Sequence, residues 1–473
     1  MSYSRLGYLA LKLEATENTA VKPNKFIPFL SEDIVAEWGV TPATPIAANR
    51  TRNIRKVITA IPAPAGTINL QVEPKTIGWF LKGLSGALIT GLYLPISSVV
   101  GTFVVGETIT GGTSAATGVI VAISSELDYL LVTISSGTFT AAGEAITGGS
   151  SSATANIGVN AATVYGHQTL APQTSLPTYT VEIGFQNEAY RYTGVRFNGI
   201  DPFAQADNII TAAVNMTARS VFHHARVTAA VNSGSGSKTI PLDQTTGLLA
   251  TDTVKVFRPS TGAFLDFSAS SVKTHTVGTV PGETSITVTD LQTSLAVGDL
   301  LMLAPQTPSY TVDNEFSWIG GSTVKMASTM VLALAATADS IEDFEVSLVN
   351  ELEAKHGANG TNVVNRFPTK NFLKGLTGTG KFTRTYTDMA YLDKLRNNNA
   401  NSVQVKHIGS QIGSTGVYYT LDLRIPSAVF SAFNPNMGDD ALLNQEMNFD
   451  MYDNTTSGFL MKALLINDVT AYT

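Results

Sequence analysis

The sequence predicts a mainly β protein with short flanking helices, in which two copies of one β-sandwich or barrel domain carry two small β modules. Charged residues make up only 14% of the 473 residues, whereas glycine and threonine, typical of tight turns and strands, are abundant. Apolar and polar residues alternate over many short runs, as they do in strands. One strand-plus-helix pattern occurs twice, which indicates a duplication. The length alone predicts about three domains.

The repeated unit is clearest at residues 378–397, which read GTGKFTRTYTDMAYLDKLRN. An alternating strand is followed by Asp388, a favourable N-cap residue, and then by apolar residues at helical spacing. Residues 65–84, AGTINLQVEPKTIGWFLKGL, have the same order of strand and helix. The side chains that define the repeat are Gly66, Phe80 and Leu84 in the first unit and Gly380, Tyr391 and Leu395 in the second.

The N-terminal region, residues 1–64, begins with an alternating segment at Tyr8–Glu14 and then contains many prolines. Proline fixes its own backbone angle and lacks the N–H that regular elements need. The pattern predicts a long extended arm with few regular elements. Such an arm packs either on its own core or on a neighbouring subunit.

Residues 97–162 differ in composition and contain their own repeat. The matched positions are Phe103 and Phe139, Glu107 and Glu144, and Ile109 and Ile146. Each copy reads as a strand, a Gly-Gly turn and a returning strand, which predicts a module of two β-hairpins. A phosphate-binding loop is the alternative, but the lysine and the following helix of that motif are missing.

Residues 227–307 also contain a doubled pattern, which predicts a second β module. Asp252 and Asp299 occupy equivalent turns in the two halves. Paired aspartates can bind calcium, but neither residue is surrounded by the further oxygen ligands that such a site requires. Capping of the turns is the favoured interpretation.

The remaining segments form the two copies of the larger domain. The first is discontinuous, with residues 1–96 and 163–226, and the second covers residues 308–473. Three pairs of segments correspond between the copies: Tyr179–Ile183 with Tyr419–Leu423, Phe197-Asn198 with Phe433-Asn434, and Ile209–Arg219 with Gln445–Tyr452.

Several classes of chemistry have no support in the sequence. Cysteine is absent, which excludes disulfides and thiolate metal sites. The net charge of −7 argues against a protein that binds tightly to the phosphates of nucleic acid. The six histidines lack metal-binding spacing, and adjacent His223 and His224 point in opposite directions if they lie on a strand. No catalytic motif, signal peptide or membrane-spanning run is present. We therefore expect a soluble, non-enzymatic protein without cofactors.

Residues 343–353, DFEVSLVNELE, together with the unit at 378–395, resemble the tail tube proteins of long-tailed bacteriophages. The opening Leu6-Gly7-Tyr8 and residues 177–183, PTYTVEI, are similar to members of that family in which the tube domain is duplicated. The resemblance covers the two larger domains and excludes both modules.

This resemblance implies an architecture and a function. In the family, each domain adds a four-stranded sheet to a closed barrel around a channel, and rings of six domains stack into a tube that delivers DNA. A chain with two copies then forms a pseudo-hexameric ring as a homotrimer. The implied partners are further copies of the chain, the tape measure protein and the tail terminator. The implied location is the virion tail, after synthesis in the host cytoplasm.

Two acids are candidates for the channel wall. If the strands at 179–183 and 419–423 line the channel, Glu182 and Asp422 recur around it and repel DNA phosphates. The alternative is that these acids face solvent or pair with Arg191, Arg196 or Arg424. The two modules are expected to decorate the exterior, and a host-surface or ring-bracing role is left open.

A protein of another class, an adhesive or carbohydrate-binding β protein, fits the composition equally well. That function needs clustered exposed aromatic residues, whereas the three tryptophans, Trp38, Trp79 and Trp318, lie in separate elements. It also usually requires export, for which the sequence has no signal. A hydrolase lacks a catalytic triad.

Overall fold

The computed structural model describes residues 7–35, 39–43, 56–60, 63–139, 142–169, 173–206, 208–245, 247–249, 251–265, 285–311, 314–355, 370–385, 392, 395–396, 400–436, 444–453 and 458–473. The predicted mainly β fold is confirmed, since strands dominate and helices are short. The N-terminal region is more regular than its prolines suggested. Its elements are β1 (Tyr8–Leu13), β2 (Lys25–Ile27), β3 (Ser31–Glu32), β4 (Gly39–Ala43), β5 (Lys56–Ala60), β6 (Ala65–Gln71) and α1 (Ile77–Ser85).

Helix α1 lies where the first strand-plus-helix unit predicts it. Its apolar side buries Ile77, Phe80, Leu81 and Leu84, and the Phe80 ring lies 4.9 Å from the ring of Phe197. Gly86 follows with a positive φ of 90° and donates its N–H to the carbonyl of Lys82. A left-handed glycine directly after the last turn is a common helix stop.

The first module is a closed barrel of six strands. The strands of this region are β7 (Leu88–Val100), β8 (Thr108–Gly111), β9 (Thr117–Ile123), β10 (Tyr129–Ser136), β11 (Ala145–Gly148), β12 (Thr154–Ile157) and β13 (Tyr165–Thr169). Antiparallel pairs run in the order β7, β10, β9, β8, β11 and β12, and β12 pairs with β7 again. The two predicted hairpins are present. The barrel has its own apolar core, which includes Phe103 and Phe139. Since β10 pairs with residues 92–95 of β7, the barrel starts before the expected boundary at residue 97.

Each of the two matched glutamates, Glu107 and Glu144, binds the turn in the opposite half of the barrel. Glu107 accepts hydrogen bonds from the N–H and hydroxyl groups of Ser150 and Ser151, at 2.9–3.2 Å. Glu144 accepts equivalent bonds from Ser114 and from the N–H of Thr113. Each glutamate therefore fixes the Gly-Gly turn of the other half. Partial burial opposes ionisation of Glu107, but the N–H groups of Val104 and Ser151 and the serine hydroxyls outweigh it and lower its pKa to about 2.

We predict that Glu107→Gln destabilises the barrel by about 1–3 kcal/mol, because charge-assisted hydrogen bonds to the turn are lost. The folded pKa lies below the ordinary value of 4.5, so the carboxylate stabilises the fold above about pH 4.5 and loses this effect as the pH falls toward 2. Thermal unfolding between pH 3 and 7 measures both effects. Glu144→Gln serves as the equivalent variant and Glu188→Gln, outside the barrel, as the control. An unchanged melting temperature for Glu107→Gln contradicts the prediction.

The next strands cover residues 179–303 and include those of the second module. They are β14 (Tyr179–Gly184), β15 (Ala189–Ala206), β16 (Ile209–Thr217), β17 (Ser220–Phe222), β18 (His224–Arg226), β19 (Gly234–Pro241), β20 (Val254–Arg258), β21 (Ala263–Leu265), β22 (Ser285–Leu291) and β23 (Leu300–Leu303). The second module has a separate apolar core. Asp252 and Asp299 each accept a backbone N–H three residues earlier, from Leu249 and Ala296, so they cap their turns as expected.

The C-terminal region contains β24 (Ser322–Ala327), α2 (Met330–Ala335), β25 (Asp343–Lys355), β26 (Lys370–Thr385), β27 (Asn401–Gln411), β28 (Tyr418–Asn436), β29 (Asn444–Met451) and β30 (Lys462–Asn467). The strand half of the second repeated unit is the end of β26. Of the predicted helix after it, Leu392, Leu395 and Arg396 are helical. Tyr391 and most of the remaining helix lie outside the described residues.

Two ladders of antiparallel strands have the same order. The first runs β1, β14, β15, β16, β6 and β3, and the second runs β24, β27, β28, β29, β26 and β25. The ladders also share an irregularity, between Phe197 and Gly199 in one and between Phe430 and Ala432 in the other. In this order β14 occupies the place of β27. The correspondences expected for Tyr179–Ile183 and for Phe197 are therefore not the ones that the ladders give.

The two ladders are joined directly. Strand β15 pairs with β25, with Gly199 opposite Val349 and Ala204 opposite Glu345. One apolar core, which includes Phe80, Phe197, Phe382 and Phe449, extends under both ladders. In the described part of the chain, no helix has the length and apolar character needed to cross a lipid bilayer.

Candidate functional site: an acidic sheet face between two open edges

The junction of β15 and β25 creates one wide sheet in the order β3, β6, β16, β15, β25, β26, β29 and β28. Its two sides differ sharply. In β16, Ile210, Ala212, Val214 and Met216 are buried, and the alternate residues are partly exposed. Because successive side chains point to opposite sides of a strand, one side of the sheet covers the core and the other is open.

The open side carries more acidic than basic residues. Directly opposed residues share a side of an antiparallel sheet, and the register places Glu345 opposite Lys381 and Ala204, and Thr379 opposite Asp450. We call this side the acidic face. Its acids include Asp201, Asp343, Glu345, Glu351, Glu353, Glu446 and Asp450, and its bases include Arg196, Lys355 and Lys381.

The bases of the acidic face lie beside carboxylates, as Lys355 does beside Glu353. Lys381 Nζ lies 3.6 Å from a carboxylate oxygen of Glu446, and Arg196 lies 3.2 Å from Glu17. Asp201 accepts a hydrogen bond from the Ser347 hydroxyl across the junction. The rest of the face includes threonine, serine and asparagine, as in Thr67, which donates to Asn215 at 3.0 Å, together with a few apolar residues such as Ala204 and Val349. The face is therefore hydrophilic, with excess negative charge and few free cations among the described residues.

Each end of the wide sheet is open in the described part of the chain. At one end β3 pairs only with β6. At the other end, residues 429–436 of β28 pair only with β29. By ladder position, β3 corresponds to β25, and this half of β28 corresponds to the half of β15 that binds β25. The two open edges are thus equivalent to the two edges that join inside the chain.

The edge near β3 has the features of an unfilled pairing site. The N–H groups of Asp33 and Val35 point to β6, where they donate to Thr67 and Ala65. The N–H of Ile34 points away from β6 and donates to a side-chain oxygen of Glu32, at 3.0 Å. Val35 is 54% exposed. An exposed strand edge of this kind is a template for another strand.

The two acids that were expected to line a channel do not lie on the acidic face. Glu182 and Asp422 are 1% and 3% exposed. Arg191 binds Glu182 at 2.7 Å and Arg424 binds Asp422 at 2.8 Å. The prediction of lumen-facing acids at these positions is wrong, because both carboxylates are buried. A buried carboxylate requires a paired cation, and an arginine supplies it in each case. The alternative pairing with Arg191 and Arg424 is the one observed.

The repeat-defining residues are structural. Phe80 and Leu84 are buried in α1, and Leu395 is partly buried against the main core. Gly66 and Gly380 occupy equivalent places in β6 and β26. A Cβ atom on Gly66 would lie 2.5 Å from the Cα of Ile34, and one on Gly380 would lie 2.1 Å from the ring of Phe449. The first glycine therefore lets the chain at Ile34 approach β6 closely.

Two of the described histidines are buried and hydrogen-bonded to hydroxyl groups, His167 to Thr90 and His407 to Ser322. Burial lowers the pKa of His167 to about 4 and that of His407 to about 3, so both are neutral near pH 7. His223 lies against the ring of Tyr190, whereas His224 is exposed. Among the described residues, no group of three or more potential ligands is placed to hold a metal ion.

Sequence reasoning missed the acidic face and both open edges. The alternation in β16 and β26 gave the faces of single strands, but membership of a common face depends on the pairing of distant strands. No protein-family model matches the chain, and no curated protein matches it significantly.

Proposed function

We propose that the chain is the structural subunit of a bacteriophage tail tube. The observation that carries the proposal is the junction between β15 and β25 inside the chain, together with the two open edges that correspond to it. A second chain that offers its β3 edge to residues 429–436 repeats the internal junction. The same contact then propagates from chain to chain.

Repetition of this contact favours a closed ring. An exposed sheet edge is a hazard for uncontrolled association, and closure of the sheet removes all edges. A heterologous contact closes when its rotation divides a full turn. Rings of six domains, implied by the resemblance to tail tube proteins, require three chains with two domain copies each. The subunit is then a homotrimer with pseudo-sixfold symmetry, and the two ladders are its duplicated domains.

The acidic face is the proposed channel wall. In a closed ring of these sheets, the apolar side is already occupied by α1 and the main core, so the open polar side remains for the lumen. Excess carboxylates repel the phosphates of DNA, and the scarcity of free cations prevents tight binding. The genome can therefore pass through without specific recognition. The role is structural and non-catalytic.

The proposed partners follow from this role. Stacked rings would place the protein in the virion tail, with the tape measure protein inside the tube and the tail terminator at its end, as the resemblance implies. The two modules, each with a separate core, are proposed to project outward. They lie outside the wide sheet and therefore do not interrupt it.

Electron microscopy of the purified full-length chain tests the proposal. We expect rings with a central channel, and stacked tubes at high protein concentration. Symmetry averaging of the rings distinguishes three chains from other numbers. Monodisperse single chains at all concentrations, as expected of an adhesive or carbohydrate-binding protein, would argue against the tube.

A further inference from the structure

Two buried arginines occupy the same position in the two ladders. Arg191 lies six residues before Phe197, and Arg424 lies six residues before Phe430, where the shared irregularities begin. Arg191 is flanked by β14 and β17, and Arg424 by the corresponding strands β27 and β30. Their side chains are 1% and 4% exposed.

The guanidinium of Arg191 forms hydrogen bonds both to the domain and to the second module. Its Nε and Nη2 atoms donate to Glu182 of the neighbouring strand, at 3.0 and 2.7 Å. Its Nη1 and Nη2 atoms donate to both oxygens of Asp252, at 2.6 and 2.8 Å. Nη1 also donates to the carbonyl of Gly247. Asp252 and Gly247 belong to one turn of the second module.

Arg424 uses its guanidinium in the same way, but with the first module. Its Nε and Nη2 atoms donate to Asp422, at 2.9 and 2.8 Å. Its Nη1 and Nη2 atoms donate to both oxygens of Asp128, at 3.1 and 2.6 Å. Nη1 also donates to Glu126 at 2.7 Å. Both acids belong to the turn that joins β9 to β10.

We infer that Arg191 and Arg424 form one docking socket, present once in each domain copy, which holds an acidic turn of a module. In both sockets the inner edge of the guanidinium binds a carboxylate of the domain, and the outer edge forms a two-bond fork with a carboxylate of the module. This fork geometry suits arginine and a carboxylate and gives the contact directional specificity.

Each socket is occupied by a module other than the one that its position in the sequence would suggest. The first module is inserted in the first domain copy, yet its acidic turn occupies the socket of the second copy. The second module, which lies between the copies, occupies the socket of the first. Chain connection alone therefore does not explain where the modules lie. In the proposed ring, modules with unrelated sequences would sit at equivalent places on successive domains, and this consequence rests on the proposed function.

The second module also contains an ion pair of the same kind that does not join it to the rest of the protein. Arg258 binds Asp299 at 2.7 Å, and both residues belong to the module. Asp252 is the equivalent aspartate of the other half, but its arginine comes from the domain. Arg258 is therefore a matched control.

Hydrogen exchange of the full, unassembled chain tests the inference. We expect Arg424→Met to accelerate exchange of residues 124–128 by ~10-fold or more, because the turn loses its buried partner. Exchange in β8 and β11 should change little, because the barrel has its own core. Hydrogen exchange of residues 247–252 should be accelerated by Arg191→Met and unchanged by Arg424→Met. Arg258→Met should affect residues 294–299 and leave both socket turns protected.

The module side provides a second test if an arginine variant fails to fold. The double variant Glu126→Gln with Asp128→Asn should loosen only the first turn, and Asp252→Asn only the turn at 247–252. Unchanged exchange of a turn after loss of its socket partner would overturn the inference, as would equal acceleration of both turns by one variant. Because no ring is needed, failure of this test is separate from failure to form tubes.

Discussion

Replacement of Ile34 by proline should prevent chains from joining while each chain still folds. Proline removes the one N–H at this position, and that N–H points away from β6 toward the open edge. Loss of this ladder bond leaves a carbonyl of the partner strand unpaired and costs about 1–3 kcal/mol, which weakens each junction by roughly 5- to 150-fold. Sedimentation velocity and electron microscopy measure the result as a loss of rings and tubes.

The control for this variant is Ile34→Ala, which shortens the same side chain and keeps the N–H. We expect it to assemble, with at most a modest loss of stability, since Ile34 is only partly buried against the core. Circular dichroism of both variants establishes that the single chain is folded. Normal tubes from Ile34→Pro, or equal loss of tubes in Ile34→Ala, would show that the edge near β3 does not form the junction.

The second large effect is expected at the acidic face. The double variant Glu345→Lys with Asp450→Lys places two lysines on the proposed channel wall and removes two acids. We expect assembled tubes of this variant to retain short duplex DNA that wild-type tubes do not retain. Retention should fall steeply as salt is added, because phosphate contacts release counterions. Co-sedimentation of labelled DNA with tubes measures the effect.

Nuclease treatment distinguishes the channel from the exterior. DNA held inside the tube should resist digestion, whereas DNA on an outer surface should be degraded. The matched control, Asp243→Lys with Asp290→Lys, makes the same charge change on the second module, and any DNA that it retains should be digested. Complete digestion of the DNA held by Glu345→Lys with Asp450→Lys would place the acidic face outside the channel.

The elements that local chemistry fixes were predictable. The hairpins around Gly111-Gly112 and Gly148-Gly149 follow from turn residues that lie beside their strands, and α1 follows from apolar spacing within nine residues. The capping roles of Asp252 and Asp299 are also local, since each binds an N–H three residues away. These contacts need no knowledge of distant chain segments.

The predictions that failed depended on distant partners. Tyr179–Ile183 and Tyr419–Leu423 have the same alternating pattern. Alternation shows that a segment is a strand but does not show which position the strand occupies in a ladder. Glu182 looked like a surface acid because the sequence gives no sign of its burial beside Arg191 and Asp252. The acidic face was equally hidden, since Ala204, Glu345 and Lys381 become neighbours only through strand pairing.

By itself, the sequence determined the β class, the two hairpins of the first module and the first strand-plus-helix unit, because alternation and turn chemistry act over a few residues. Tertiary structure alone decided which acids are buried, which edges of the described sheet remain open and which ladder each module contacts. These features depend on pairing between segments that are far apart in the chain. A carboxylate has the same place in the sequence pattern whether it meets water or a buried arginine, so only the tertiary structure distinguishes the exposed acids of the acidic face from the buried Glu182 and Asp422.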